Sequence, residues 1–218
     1  MITTAVNISE NSVWSSDAHI FSKVEDIAQT RLSSDANRID QDGYYPIDIM
    51  GDLGAAGAFA SHLNSYGSRF GLALRNMSVI SQHCGSTGFM TWCHDVCGLY
   101  MELSDNSSLE ARLEDHAFGR TFGGTGLSNP MKALTNIEAM ALRATPVNGG
   151  YVVTGTLPWV SHINYGQYCG AIAGVFNADD SRSHEVMFLL DINERVKLTK
   201  CPEFSGMEGY EYMGYSFR

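Results

Sequence analysis

The chain has 218 residues, enough for one or two domains of about 150 residues, each with a real core. Charged residues make up 17% and hydrophobic ones 44%, which excludes a disordered, solvating chain and points to surface that meets other protein. With 14 Lys and Arg against 24 Asp and Glu the net charge is −10, so neither a general nucleic-acid binder nor a reader of anionic membrane surfaces is expected.

Met1 to Asn11 is polar, with no basic or apolar stretch, so no signal peptide is expected. No run approaches the roughly 18 apolar residues of a spanning helix. The cysteines, Cys84, Cys93, Cys97, Cys169 and Cys201, are odd in number and widely spread, unlike a disulfide scaffold. The expectation is a soluble, cytoplasmic, thiol-reduced protein.

The first half reads as helices. Ser16 can cap a segment carrying Ile20, Val24, Ile27 and Leu32 at helical spacing. Pro46 suits the first turn of a short helix with Ile47, Met50 and Leu53, ended by Gly54 and Gly57. Tyr66-Gly67-Ser68 is a turn, followed by an apolar helix from about Phe70 to Cys84. After Gly85 a further helix carries Phe89, Cys93, Val96, Tyr100 and Met101; Ser107 and Ser108 can cap a last one with Leu109 and Leu113.

Near Phe118 the pattern changes. Glu138 to Ala144 reads as a strand, Asn148-Gly149-Gly150 as a hairpin turn and Tyr151 to Thr154 as the return strand. Tyr168 to Phe176 is apolar and small, consistent with a buried strand. The polar loop Asn177 to His184 separates it from Val186 to Ile192; Val196 to Thr199 and Tyr212 to Phe217 complete a set of antiparallel strands. Helices first and strands second predict an α+β chain: an N-terminal helical domain over 1–117 and an antiparallel, barrel-like β domain over 118–218. The final strand runs to Arg218 with no turn after it, so either the chain is truncated or a partner completes the edge.

Cys93-His94-Asp95-Val96-Cys97 invites a metal reading, but no second ligand pair supports it, and small core cysteines are the better account. No Gly-x-Ser-x-Gly elbow exists. Gly123-Gly124-Thr125-Gly126 lacks the ending of a phosphate loop, is not expected between a parallel strand and a helix, and taken alone is a flexible loop. Downstream of it, Gly126-Leu127-Ser128-Asn129-Pro130 and, about thirty residues later, Thr154-Gly155-Thr156-Leu157-Pro158-Trp159-Val160-Ser161 offer backbone N–H groups, hydroxyls and one large aromatic face at strand ends. That equipment suits a flat heteroaromatic ring with a polar edge. The alternative, and on spacing alone the better account, is a core tryptophan with turn serines, since both are common at strand ends.

These stretches together resemble the acyl-CoA dehydrogenase superfamily. Tyr45-Pro46 with Leu53-Gly54-Ala55-Ala56-Gly57 is similar to its early helix, and Tyr66-Gly67-Ser68 stands at its Tyr-Gly-Gly turn. Leu127-Ser128-Asn129-Pro130 resembles Leu-Thr-Glu-Pro; Gly150 to Gly155 with Pro158-Trp159-Val160-Ser161 resembles Gly-Tyr-x-Leu-Asn-Gly-x-Lys-x-Trp-Ile-Thr; Gly206-Met207-Glu208-Gly209 resembles Gly-Met-Arg-Gly. The resemblance implies FAD, or alternatively FMN, held by Thr125, Leu127, Ser128, Trp159, Val160 and Ser161. Leu127 and Ser128 would face the pyrimidine edge, Trp159 the ring and Ser161 its reactive nitrogen. The family's Gly-Ser-Asp is replaced by Ala133-Leu134-Thr135, which removes a pyrophosphate-binding serine, and Asn129 replaces its glutamate. The family's catalytic carboxylate lies in a third, helical domain, so no residue here is assigned as base.

Three functions follow: dehydrogenation of an acyl thioester, first because it is the commonest activity on the fold; a flavin-dependent monooxygenase; or a non-catalytic subunit completed by a partner. The implied partners are an acyl-CoA or other small substrate, an electron-transfer flavoprotein or flavin reductase, and further copies of the chain in a homo-oligomer.

Overall fold

The computed structural model describes residues 16–200 and the backbone of Met213–Phe217. Cys201, the Gly206 to Gly209 turn and Arg218 lie outside the described residues, as does the segment before Ser16.

Helix α1 (Asp17–Ile27) buries Ile20 and Val24, runs through one π-helical turn (Ala28–Leu32) that buries Ala28 and Leu32, and continues as α2 (Ser33–Asp42). Ser16 stands at the start, but its side chain makes no cap; its carbonyl accepts from the N–H groups of His19 and Ile20 instead. The helical rod is ten residues longer than the apolar spacing implies, because α2 is polar except for buried Ile39 and is carried as a continuation until Gly43 turns left-handed at φ 67°. Helix α3 (Ile47–Ala55) follows Pro46 as expected, with Ile49, Met50 and Leu53 buried. Helices α4 (Phe70–His83) and α5 (Gly85–Glu102) match the expected pair, and α6 (Ser107–Ala117) is capped by Asn106, whose side chain accepts from the Ser108 N–H, rather than by a serine.

The strands are β1 (Gly123–Thr125), β2 (Leu142–Val147), β3 (Gly150–Leu157), β4 (Tyr168–Phe176), β5 (Arg182–Asp191), β6 (Lys197–Lys200) and β7 (Met213–Phe217). Strand β2 begins at Leu142, four residues later than the composition suggests, and Asn148-Gly149 turns it into β3 with Val147 opposite Gly150. A short helix, α7 (Ser128–Leu134), lies between β1 and β2.

The α+β class holds, but the sheet is mixed rather than purely antiparallel. Strand β4 pairs antiparallel with β5 along its length, while β1 joins it in parallel at Tyr168 to Gly170 and β2 in parallel at Gly174. Parallel neighbours need long crossovers, and hairpin signals cannot reveal them. β4 is buried almost throughout, as its unbroken apolar run predicts.

One core lies among α1 to α5 and another within the sheet; a third cluster joins them, bringing Ala60, Leu63, Cys97, Met101, Leu113 and Ala117 onto Tyr168 of β4. Cys93 and Cys97 are fully buried here, and burial pushes both thiols up.

A buried polar clasp ties α5, α6 and the sheet together. The rings of His94 and His116 stack at 3.6 Å, and each Nε2 donates to the other residue's carbonyl, at 2.9 and 2.8 Å. The Gly123 N–H donates to His94 Nδ1 at 3.3 Å, and the Tyr168 hydroxyl donates to His116 Nδ1 at 2.8 Å. Both imidazoles are thereby fixed as neutral Nε2–H tautomers, and β1 is fastened to α5. Burial is the main cause that lowers both from the ordinary histidine range, His94 to about 4.

A second buried contact on α5 leaves a group without a partner. His62 Nε2 donates to the Asp95 carbonyl at 2.8 Å, so His62 Nδ1 is an acceptor; it faces Asp95 Oδ1 at 3.8 Å, and neither atom has a hydrogen bond. Burial raises the Asp95 carboxyl and lowers His62, which makes this a neutral acid facing a neutral imidazole rather than an ion pair. Asp95→Asn is therefore expected to stabilise the fold by about 1–3 kcal/mol near neutral pH, because the carboxyl must take up a proton to be buried there and the amide need not. Urea unfolding checks this. The gain should vanish at about pH 4, where the unfolded carboxyl is neutral as well.

Candidate functional site

A cavity of about 590 Å³ opens where α5, the end of β1, α7 and the segment after β3 meet. It is lined by Phe89, Trp92, Tyr100, Thr125, Leu127, Ser128, Met131, Trp159 and Ser161. Five of the six residues singled out from the sequence, drawn from two short segments about thirty residues apart, thus face one space. The sixth, Val160, does not: it is buried in the sheet core, where it anchors the backbone between Trp159 and Ser161.

Each wall has a structural cause. Ser161 and Thr125 exchange backbone hydrogen bonds, Thr125 N–H to Ser161 O at 3.3 Å and Ser161 N–H to Thr125 O at 3.4 Å. These bonds set both hydroxyl residues side by side. Gly123-Gly124 is not a flexible loop but strand β1, lying between parallel pairing with β4 and helix α7, contrary to the sequence expectation. A Cβ on Gly124 would overlap the carbonyl oxygens of Ser161 and His162, so the glycine serves close backbone approach rather than phosphate binding. Behind the wall, Cys93 of α5 is fully buried.

Leu127 and Ser128 open α7, and N–H groups at a helix start have no intrahelical acceptor. Ser128 is exposed and Leu127 half-buried. Trp159 is 44% exposed at the cavity edge, which rules out a fully buried core tryptophan. Asn129 closes the next loop: its amide donates to Glu138 and to the Ala139 carbonyl at 2.9 Å, and its oxygen accepts from the Ala141 N–H at 2.9 Å. The Thr135 hydroxyl donates to the carbonyls of Met131 and Lys132, both at 3.1 Å, so it does not replace the serine that Leu134 displaces.

The opposite wall comes from α5 and escaped sequence reasoning as a site. Phe89 and Trp92 stack with ring centroids 5.5 Å apart, and Trp92 is 42% exposed. Phe89 and Tyr100 read as members of a buried helical stripe, and the available signal was Trp92, three residues after Phe89, on the flank of that stripe. The Tyr100 hydroxyl is 3.0 Å from Thr125 Oγ1. Among the described lining residues there is neither a carboxylate nor a cation. The space therefore suits a flat, largely apolar ring whose edge takes hydrogen bonds from hydroxyl and amide groups. Among the described residues, no helix is long and apolar enough to cross a membrane.

No family model matches the chain, and no curated protein matches its sequence. Solved structures do resemble it. Butyryl-CoA dehydrogenase from Megasphaera elsdenii is similar with a TM-score of 0.79 and 15% identity, over 93% of this chain and 55% of that one. A glutaryl-CoA dehydrogenase from Mycobacterium smegmatis gives 0.77 and 18%, over 95% and 54%. PigA with FAD and proline gives 0.76 and 16%, over 96% and 57%. The fold is that of the acyl-CoA dehydrogenases, and the chain spans little more than half the length of those structures.

Proposed function

We propose that this chain forms the ring-binding part of a flavin-dependent oxidoreductase with FAD as its cofactor. The observation that carries this is the convergence of Thr125, Leu127, Ser128, Trp159 and Ser161 on one cavity of about 590 Å³. The fold adds support, since PigA is solved with FAD and a glutaryl-CoA dehydrogenase with FADH2. The donor set fits the isoalloxazine: the Leu127 N–H and Ser128 hydroxyl would meet its pyrimidine edge, Trp159 would cover the ring, and Ser161 would lie toward its reactive nitrogen. When bound, the cofactor supplies hydride acceptance. The chain's own residues orient the ring, stabilise negative charge at its edge through hydroxyl and amide donors, and keep water out with the Phe89–Trp92 wall. With no carboxylate in the described lining, no base is assigned among these residues. The same proposal includes a division at residues 117 and 118, an acyl thioester as substrate, and an electron-accepting protein partner.

A second reading, a monooxygenase that takes reduced flavin from a reductase, is favoured by one observation. The Thr135 hydroxyl is engaged within α7 and no cation lines the cavity, so the described lining grips the ring but not the diphosphate. Titration of the chain with oxidised and with reduced FAD, followed by flavin fluorescence and absorbance, tests both. Binding of either form supports the flavin reading, and preference for the reduced form favours the monooxygenase. Trp159→Ala should weaken binding by several-fold to somewhat over tenfold, the worth of an aromatic pair of about 0.5–1.5 kcal/mol. Ser128→Ala should disfavour the reduced form more than the oxidised one. Unchanged binding in Trp159→Ala would count against the site.

A further inference from the structure

Among the described residues, five that are not glycine hold a positive φ. Ser68, Asp105, Asn136 and Asp180 do so exposed in loops, whereas His162, at φ 58°, is fully buried. A left-handed conformation is disfavoured for any residue with a side chain, so something in the core must hold His162 there. It stands directly after Ser161, which lines the ring cavity and exchanges backbone bonds with Thr125, and directly before Ile163, which enters the sheet core. One tie reaches the His162 ring from the helical half. The Tyr45 hydroxyl lies 3.0 Å from His162 Nδ1, and Gln167 Nε2 donates to that hydroxyl at 2.8 Å. Among the described residues, His162 Nε2 has no hydrogen-bond partner, so the ring is oriented through Nδ1. His94 and Phe122 pack against it edge to face, at ring-centroid distances of 5.8 and 5.9 Å. Tyr45 does not line the ring cavity.

We propose that His162 is a positioning residue of the ring site, locked in its left-handed turn by Tyr45 so that the chain presents the Ser161 hydroxyl to the cavity. Without the tie, the residue is free to relax toward an ordinary negative φ, and that rotation re-aims the chain on both sides of it. Val160 and Ile163 are fixed in the sheet core, so the displacement falls on Ser161 and its paired bonds with Thr125. Tyr45 thereby acts on a bound ring through Ser161, without touching the ring itself. The role given to the Ser161 hydroxyl rests on the flavin reading; the lock rests on the backbone turn and its hydrogen bonds.

The test is a double-variant cycle in the 218-residue chain, with FAD dissociation constants taken from flavin fluorescence. Ser161→Ala should weaken binding about fivefold, the factor that one hydrogen bond worth about 1 kcal/mol yields. Tyr45→Phe, which removes only a hydroxyl outside the cavity, should weaken it by a comparable factor. The double variant should be about as weak as Ser161→Ala alone, because a displaced Ser161 hydroxyl and an absent one are the same loss. Two independent losses would multiply to about 25-fold, and that result overturns the lock, as does native affinity in Tyr45→Phe. His162→Ala should lose affinity likewise, and His162→Asn should recover most of it, since Asn tolerates the left-handed region and carries an amide able to meet Tyr45. Amide hydrogen exchange over residues 159–163 is read in parallel without FAD. Exchange there should quicken in Tyr45→Phe relative to the rest of the chain, and an unchanged rate overturns the lock. Quickened exchange in a chain that binds FAD in neither redox form would leave the lock standing and count against the flavin reading alone.

Discussion

Through the buried histidines, acidification from about pH 7 to about pH 4 should cost the fold about 3 kcal/mol, read most cleanly in Asp95→Asn, where the opposing carboxyl is gone. His94 is the clearest contributor, lowered from 6.5 to about 4 chiefly by burial. Between those values the unfolded chain binds a proton that the folded chain refuses, so stability falls as pH falls through that window. His116 and His162 are lowered in the same direction, again mainly by burial, and add to the slope. Geometry gives the same sign. His94 Nδ1 accepts from the Gly123 N–H and His116 Nδ1 from the Tyr168 hydroxyl, so a proton on either would set donor against donor. The faces packed on His94 are Phe59, Phe122, His116 and His162, with no carboxylate among them to stabilise a cation. Asp95, raised by burial, titrates with the opposite sign and offsets a part. Urea midpoints measured across this range check the expectation; a flat profile would mean that the clasp opens to water before it titrates. The site should respond too, because the clasp fastens β1, and with it Thr125, to α5.

Much of this architecture can be read from residue order. The apolar stripe of α5, the unbroken apolar run of β4 and the Asn148-Gly149 turn each express one local rule, and each element appears where that rule puts it. What stayed hidden is non-local. Parallel pairing of β1 and β2 with β4 leaves no local mark, because the partners are separated by long crossovers. α7 was missed because its seven residues carry too little periodicity, with Pro130 in the first turn. The site shows the same split. Thr125, Leu127, Ser128, Trp159 and Ser161 stand at strand and helix ends, where pattern and resemblance both point, whereas Trp92 and Met131 join them only through the packing of α5 and α7 around the cavity. Val160 followed its neighbours in the motif, but alternation along an extended segment turns it to the opposite face.

Gly124→Ala should be the most damaging single methyl that can be added near the site, costing about 3 kcal/mol and abolishing flavin binding together. Its Cβ would overlap two backbone oxygens, Ser161 O and His162 O, and backbone cannot step aside as the end of a flexible side chain can. Relief requires β1 to move away from the 161–162 segment, which breaks the paired bonds between Thr125 and Ser161 and separates two walls of the cavity. Gly71→Ala is the matched control. It lies exposed in the first turn of α4, nothing stands within 4 Å of an added Cβ, and the change should be neutral or stabilising by up to about 1 kcal/mol. Thermal midpoints and FAD titrations of both variants, set beside Trp159→Ala, separate two kinds of loss. Trp159 is half exposed, so its removal should weaken ring binding while leaving the midpoint nearly unmoved. Gly124 carries no group that touches a ligand, so if Gly124→Ala loses both properties, the site depends on the register between β1 and Ser161 rather than on any one side chain. Retained flavin binding in a destabilised Gly124→Ala protein would show that the ring is held by Leu127, Ser128 and Trp159 without the Thr125–Ser161 pair.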